Sequence, residues 1–211
     1  MKHLYFLILL CFSFNLNAQK YHPDRISIQN KEYDYRFHHL EQYFNYYPEK
    51  RIVTNKDSTI INRGYIAFYE IYNDEIYLKD IKIPEHKNNY SKLISVRDKF
   101  TTSKETRVPL RWVNGVIQIG IGSNEIKNDS LKPVNTNNLI FEINKGKIQR
   151  SLQFNKEEMR IFNNFQWNKF YNTREYAVLT YKLKNIGLTE GEIVYHFYNN
   201  ILYYSKKIYL Q

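Results

Sequence analysis

Apolar and polar positions alternate most clearly from Asn62 to Ile83, where two β-rich runs flank Asn73-Asp74. Both central positions of a two-residue hairpin turn take positive φ, which Asn and Asp tolerate better than bulkier residues. Counting outward from this turn places Glu70 opposite Tyr77 and Phe68 opposite Lys79. Ala67, Tyr69 and Ile71 then share one face with Ile76 and Leu78, while Ile66 and Phe68 share the other with Tyr77 and Ile81. Both faces are largely apolar, so this hairpin is expected at the centre of the molecule, covered on at least one side.

The same pattern predicts further elements on either side. Ile26, Ile28, Tyr33 and Tyr35 around Asn30-Lys31 form a first hairpin pairing Ile28 with Tyr33 and Ile26 with Tyr35. Leu40, Tyr43, Phe44 and Tyr47 recur at helical spacing until Pro48 stops the helix. Pro84 closes the central hairpin, and the lysine-rich stretch from Glu85 to Pro109 has no clear period. Asn114-Gly115 is the strongest short turn signal and sets Trp112 opposite Ile117 and Leu110 opposite Ile119, with Arg111 and Gln118 on the reverse face. Ser123 to Asn138 is polar and contains Pro133, which predicts a loop. Leu139 to Phe154 is a fourth hairpin turning at Lys145-Gly146.

Helical signals replace strand signals after Phe154. Asn155 with Glu158 forms a capping box ahead of Met159, Phe162 and Phe165. Thr189 with Glu192 forms another ahead of Ile193, Phe197, Ile201, Tyr204 and Ile208, a stripe that packs a helix on a sheet. Tyr176 to Lys184 reads as helix between them. The pattern therefore predicts an α+β fold: a twisted antiparallel sheet of about eight strands in hairpin order, able to curl toward a barrel, with C-terminal helices on one face.

The N-terminus adds a location. Lys2, the apolar run from Leu4 to Phe14 and the small residue Ala18 read as a signal peptide over residues 1–18, cleaved before Gln19. Residues 19–211 then form one domain, β-rich over 19–154 and helical over 155–211. The protein is expected to be exported, periplasmic or extracellular, with no membrane span in the mature chain. Cys11, the only cysteine, lies inside the apolar run, so the mature chain offers neither a disulfide nor a thiolate.

Charge changes the picture less than its size suggests. The formal +10 arises from 31 basic and 21 acidic residues, but Lys, Asn, Ile and Tyr, all encoded by A/T-rich codons, number 21, 24, 24 and 20 against 3 Ala. A solvated basic surface explains the balance, and an anionic envelope component is the partner it would favour, with another protein as the second. Tyrosine is spread along the whole chain rather than gathered into a base-stacking signature, so nucleic acid is not expected.

No catalytic constellation is complete. Adjacent His38 and His39 point different ways on any regular element and do not converge as metal ligands. Gly120-Ile121-Gly122 lacks the third glycine and the helix of a phosphate loop, so no cofactor is expected. Glu70 and Asp80 sit on opposite faces and cannot flank one bond, and Glu70 lies diagonal to Lys79, which suits a cross-strand ion pair. Arg63 and Arg111 have no acid opposite them. With Tyr65 and Trp112 they form the candidate binding surface, although the neighbours of Trp112 suggest core.

Arg63-Gly64-Tyr65, Phe68-Tyr69-Glu70-Ile71, Leu78-Lys79-Asp80-Ile81 and Trp112 with Asn114-Gly115 resemble a family of uncharacterised bacterial proteins over roughly Arg25 to Ile143. Its members often carry Cys-Trp before the Arg-Gly-Tyr, where this chain has Ile61-Asn62. The resemblance implies a shared fold and no activity. The expectation is an exported, non-enzymatic binding or interaction module, with an envelope-directed hydrolase or an anionic-polymer binder as alternatives.

Overall fold

A computed structural model describes residues 22–52, 63–86, 89–101, 106–127 and 130–209. The expected signal peptide with its expected cleavage site, and Ile61-Asn62, lie outside the described residues. Among the described residues the chain folds as α+β, with nine strands in one mostly antiparallel sheet and a run of helices at the C-terminal end. The strands are β1 (Asp24–Ile28), β2 (Lys31–Tyr35), β3 (Ile66–Tyr72), β4 (Glu75–His86), β5 (Asn89–Ser95), β6 (Val108–Pro109), β7 (Gly115–Lys127), β8 (Ser130–Asn144) and β9 (Lys147–Asn155). The helices are α1 (His39–Tyr46), α2 (Arg97–Phe100), α3 (Lys156–Tyr171), α4 (Arg174–Asn185), α5 (Glu190–Asn199) and α6 (Ile201–Tyr204).

The sheet runs β2-β1-β3-β4-β9-β8-β7, with β5 and β6 also on β4. Simple hairpin order fails where β4 pairs with β6 and β9, and again where β1 pairs with β3 in parallel, with Ile26 beside Tyr69. The long connection through α1 makes that crossover possible. The sheet stays open, yet its edge strands β2 and β7 come within 8 Å without pairing.

Asn73 and Asp74 take φ of 47° and 56° and form the central turn, with Glu70 opposite Tyr77. Beyond that the register departs from the count: a bulge between Phe68 and Tyr69 places Phe68 opposite Asp80 rather than Lys79. The extra residue on β4 swings Ile81 onto the face of Ala67, Tyr69 and Leu78, where all four are buried. Asp80 holds the bulge by accepting hydrogen bonds from the Ile81 N–H (2.8 Å) and the Ser95 hydroxyl (2.6 Å). The first hairpin turns one residue earlier than expected, at Gln29-Asn30 (φ 49° and 64°), so Ile26 pairs with Tyr33 and Ile28 with Lys31. A shift of two in pairing keeps each side chain on its predicted face.

Three further expectations need correction. Pro84 does not end the central hairpin but lies opposite Leu93 on a β4 that continues to His86. Ser123 to Asn138 is not a loop: its backbone extends β7 and β8 as a ladder from Gly115↔Ile143 to Lys127↔Ser130. Asn114-Gly115 makes no hairpin, because Leu110 to Val113 closes a turn by itself (Val113 N–H to Leu110 O, 2.9 Å) and Gly115, at φ 117°, opens β7 against β8.

Between Val116 and Ile119 and between Ile140 and Ile143, β7 and β8 send apolar side chains to both sides of the sheet. Ile117, Ile119, Phe141 and Ile143 face a core shared with β1, β3, β4 and α1, while Val116 and Ile140 face the helices through Met159, Phe162, Ile193, Phe197 and Ile201. Both predicted capping boxes form, at Asn155 and at Thr189. The stripe from Ile193 to Ile208 does not stay on one helix, since the chain breaks at Asn200 before α6. Gln166, fully buried, secures the chain end by donating to Lys207 O (3.2 Å) and accepting from Tyr209 N–H (2.8 Å).

Candidate functional site

The four predicted surface residues separate into two places. Arg63, ahead of β3, forms a bidentate ion pair with Asp24 at 2.8 and 3.0 Å, and Asp24 is fully buried. The same carboxylate accepts the Ala67 N–H at 2.9 Å, and His38 Nδ1 lies 2.8 Å from the guanidinium. Tyr65 is itself buried, 1% exposed, and donates to Glu41 at 2.7 Å, while Glu41 takes a bidentate contact from Arg51 at 3.1 and 2.8 Å. Burial works to raise the pKa of Glu41, but the hydrogen bonds from Arg51 and Tyr65 prevail and hold it below the usual carboxylate range. A continuous polar chain thus runs Arg51, Glu41, Tyr65 and then, through the Arg63 guanidinium over the Tyr65 ring (5.4 Å), to Asp24. It fastens α1 to the start of β3.

Trp112 belongs near this chain rather than to an open surface. Its indole N–H donates to His39 O at 3.2 Å and its ring packs 4.6 Å from Tyr43, half-buried against the first core.

His39 sits below, 3% exposed, with Nε2 2.5 Å from the Tyr35 hydroxyl. Burial lowers its pKa from an ordinary 6.5 to about 4. The folded protein therefore keeps this imidazole neutral in a range where the unfolded chain takes up a proton. Stability from this group is complete above the unfolded value, falls as pH drops from 6.5 toward 4, and amounts to about 3 kcal/mol over that window. Urea melts at pH 7.5 and 5 should show about 2 kcal/mol of this loss in the wild type and a clearly smaller one in His39→Gln. An equal pH dependence in both would contradict the burial of His39.

Arg111 alone of the four is exposed. Among the described residues its guanidinium makes no hydrogen bond or salt bridge. It lines an open cavity of about 480 Å³ formed by the start of β4, the segment after β6 and the β8–β9 turn. Lys145 and Lys147 stand on the same wall, with Glu75 as the acid among them. Glu75 is already engaged, accepting from the Tyr77 hydroxyl at 2.7 Å and from Lys147 at 3.4 Å. The cavity therefore carries an excess of positive charge centred on Arg111 and Lys145.

Gly146 builds this wall. It occupies φ 79°, and a Cβ there would stand 2.8 Å from Leu110 O, so only glycine lets the β8–β9 turn close on the segment that carries Arg111. The backbone is already satisfied, with Ile76 N–H on Gly146 O (2.9 Å) and Gly146 N–H on Val113 O (2.9 Å). A ligand would meet side chains.

Comparison of the chain with protein-family models, with curated proteins and with solved structures finds no match.

Glu70 and Asp80 offer no acid-base pair. Burial pushes the pKa of Glu70 up, but hydrogen bonds from Arg107 and Lys79 outweigh it and keep the carboxylate ionised below its ordinary range. Asp80 is spent on the bulge. Among the described residues no three His, Cys, Asp or Glu side chains gather as metal ligands.

Sequence reasoning missed Asp24, Glu41 and Arg51. Asp24 lies just before the first predicted hairpin, and its place as a buried acid for Arg63 depends on β1 lying parallel to β3.

Proposed function

We propose that the chain is an exported, non-enzymatic binding module of the cell envelope, and that its ligand-facing site is the cavity around Arg111, where it takes an anionic group of a larger molecule. What supports this reading is the contrast between the two arginines. Arg63 is consumed by Asp24 inside the fold, whereas Arg111 lies beside Lys145 at an open cavity with its donors uncommitted to any described residue. A guanidinium with free donors matches carboxylate or phosphate oxygens in a two-point contact. The cavity opens to solvent, so one charged group of a polymer can enter it while the rest of the chain stays outside.

Isothermal titration tests this with polyphosphate, polygalacturonate and citrate at low salt. A polyanion should bind with an affinity that falls steeply as salt is added, and Arg111→Ala should weaken it at least tenfold, the loss of about 1.5–3 kcal/mol expected for a charge-assisted contact. Absence of binding by all three, or wild-type affinity in Arg111→Ala, would count against the reading.

A further inference from the structure

We infer that the seam between β2 and β7 is a second site, independent of the Arg111 cavity, which takes a single neutral sugar ring. A cavity of about 200 Å³ lies where the two edge strands approach without pairing and the C-terminal helices close the gap. Its volume is that of about seven waters, the scale of one hexose.

The wall presents unused hydrogen-bond groups of both kinds, with one buried acceptor among them. Asn199 and Asn200 donate their side-chain N–H groups to Tyr195 O (2.9 Å) and His196 O (2.8 Å). A backbone carbonyl can only accept, so both amides are fixed and each has its Oδ1 left over. Asn163 lines the same cavity, and its Oδ1 is buried without a hydrogen-bond partner. Gln118 spends its N–H on Asn138 Oδ1 at 2.7 Å, which leaves its own carbonyl oxygen. A buried acceptor left unmatched is costly, so Asn163 Oδ1 calls for a donor from a ligand, while the exposed Asn199 and Asn200 amides can both donate and accept.

Hydroxyl groups answer that demand better than a cation does. Arg36 lines the cavity too and makes no ion pair or hydrogen bond among the described residues, so its charge disfavours an ammonium while its N–H groups can serve a hydroxyl oxygen. A sugar hydroxyl donates to the Asn carbonyls and accepts from Arg36 at once. The remaining wall is aromatic: Phe37 and Tyr203 stack at 6.2 Å and 25°, and Tyr203 keeps 54% of its surface exposed. The electron-rich face of such a ring attracts the C–H face of a pyranose.

The test is saturation-transfer NMR on the full chain with glucose, galactose, mannose and N-acetylglucosamine, each at millimolar concentration. At least one should receive transfer at its ring C–H protons. Tyr203→Ala, at an exposed position, should reduce that transfer at least fivefold with an unchanged melting temperature, and Asn163→Leu should do the same where it folds. Arg111→Ala should leave sugar transfer intact, and Tyr203→Ala should leave polyanion binding intact, so failure of either site is seen separately. No transfer from any of the four sugars, or full transfer in Tyr203→Ala, overturns the proposal.

Discussion

Replacing Arg63 by alanine should destabilise the protein by about 3–5 kcal/mol, read as a large drop in melting temperature and in the urea midpoint. The cause is Asp24, which is fully buried and would be left without its bidentate partner. Most of the cost is therefore the stranded carboxylate rather than the lost attraction. Removing both charges with Asp24→Asn and Arg63→Met should cost less than Arg63→Ala alone, because an amide still accepts the Ala67 N–H without a buried charge. For a domain whose total stability is of order 5–15 kcal/mol, the single change takes a large share of it. Equal melting of Arg63→Ala and wild type would mean that Arg63 faces outward after all.

The second large effect is expected at Gly146. Alanine there meets Leu110 O at 2.8 Å while holding φ 79°, so left-handed strain and a clash with backbone act together, at about 2–4 kcal/mol. Gly187 provides the control, since it also has a positive φ, 95°, but its added Cβ would meet nothing within 4 Å. Gly187→Ala should cost only about 1–2 kcal/mol. A Gly146→Ala variant no less stable than Gly187→Ala would show that the β8–β9 turn does not press on the Arg111 segment.

Local signals carried most of the fold. The Asn73-Asp74 and Lys145-Gly146 turns, the α1 helix ending before Pro48 and both capping boxes could be placed because each depends on a few neighbouring residues. What could not be read was non-local. The parallel pairing of β1 with β3 follows from which face each strand must bury, and no dipeptide announces it. The bulge that turns Ile81 inward is likewise hidden, because Lys79 and Asp80 look like ordinary outward residues until Asp80 is seen capping the bulge amide. Asn114-Gly115 misled for the opposite reason. It is a strong turn pair, but the chain turns three residues earlier, between Leu110 and Val113, both of which are buried in the core.

The site was legible in kind and not in place. An aromatic and arginine surface was expected, and the structure divides it: Tyr65 and Arg63 inside, Trp112 half-buried on Tyr43, Arg111 at the cavity. The asparagines of the β2–β7 seam looked like part of a compositional bias. Only the fixed direction of the Asn199 and Asn200 amides gives them a chemical meaning.

That division of labour between the two arginines is the central claim, and one set of thermal melts tests it directly. Wild type, Arg63→Ala and Arg111→Ala are melted with and without polyphosphate at about 100 times its dissociation constant, where a specific ligand adds about 2.7 kcal/mol. The account predicts that Arg63→Ala melts low but still gains the full ligand shift, while Arg111→Ala melts like wild type and loses it. The reverse pattern, with Arg63→Ala losing the shift at unchanged stability, would contradict it.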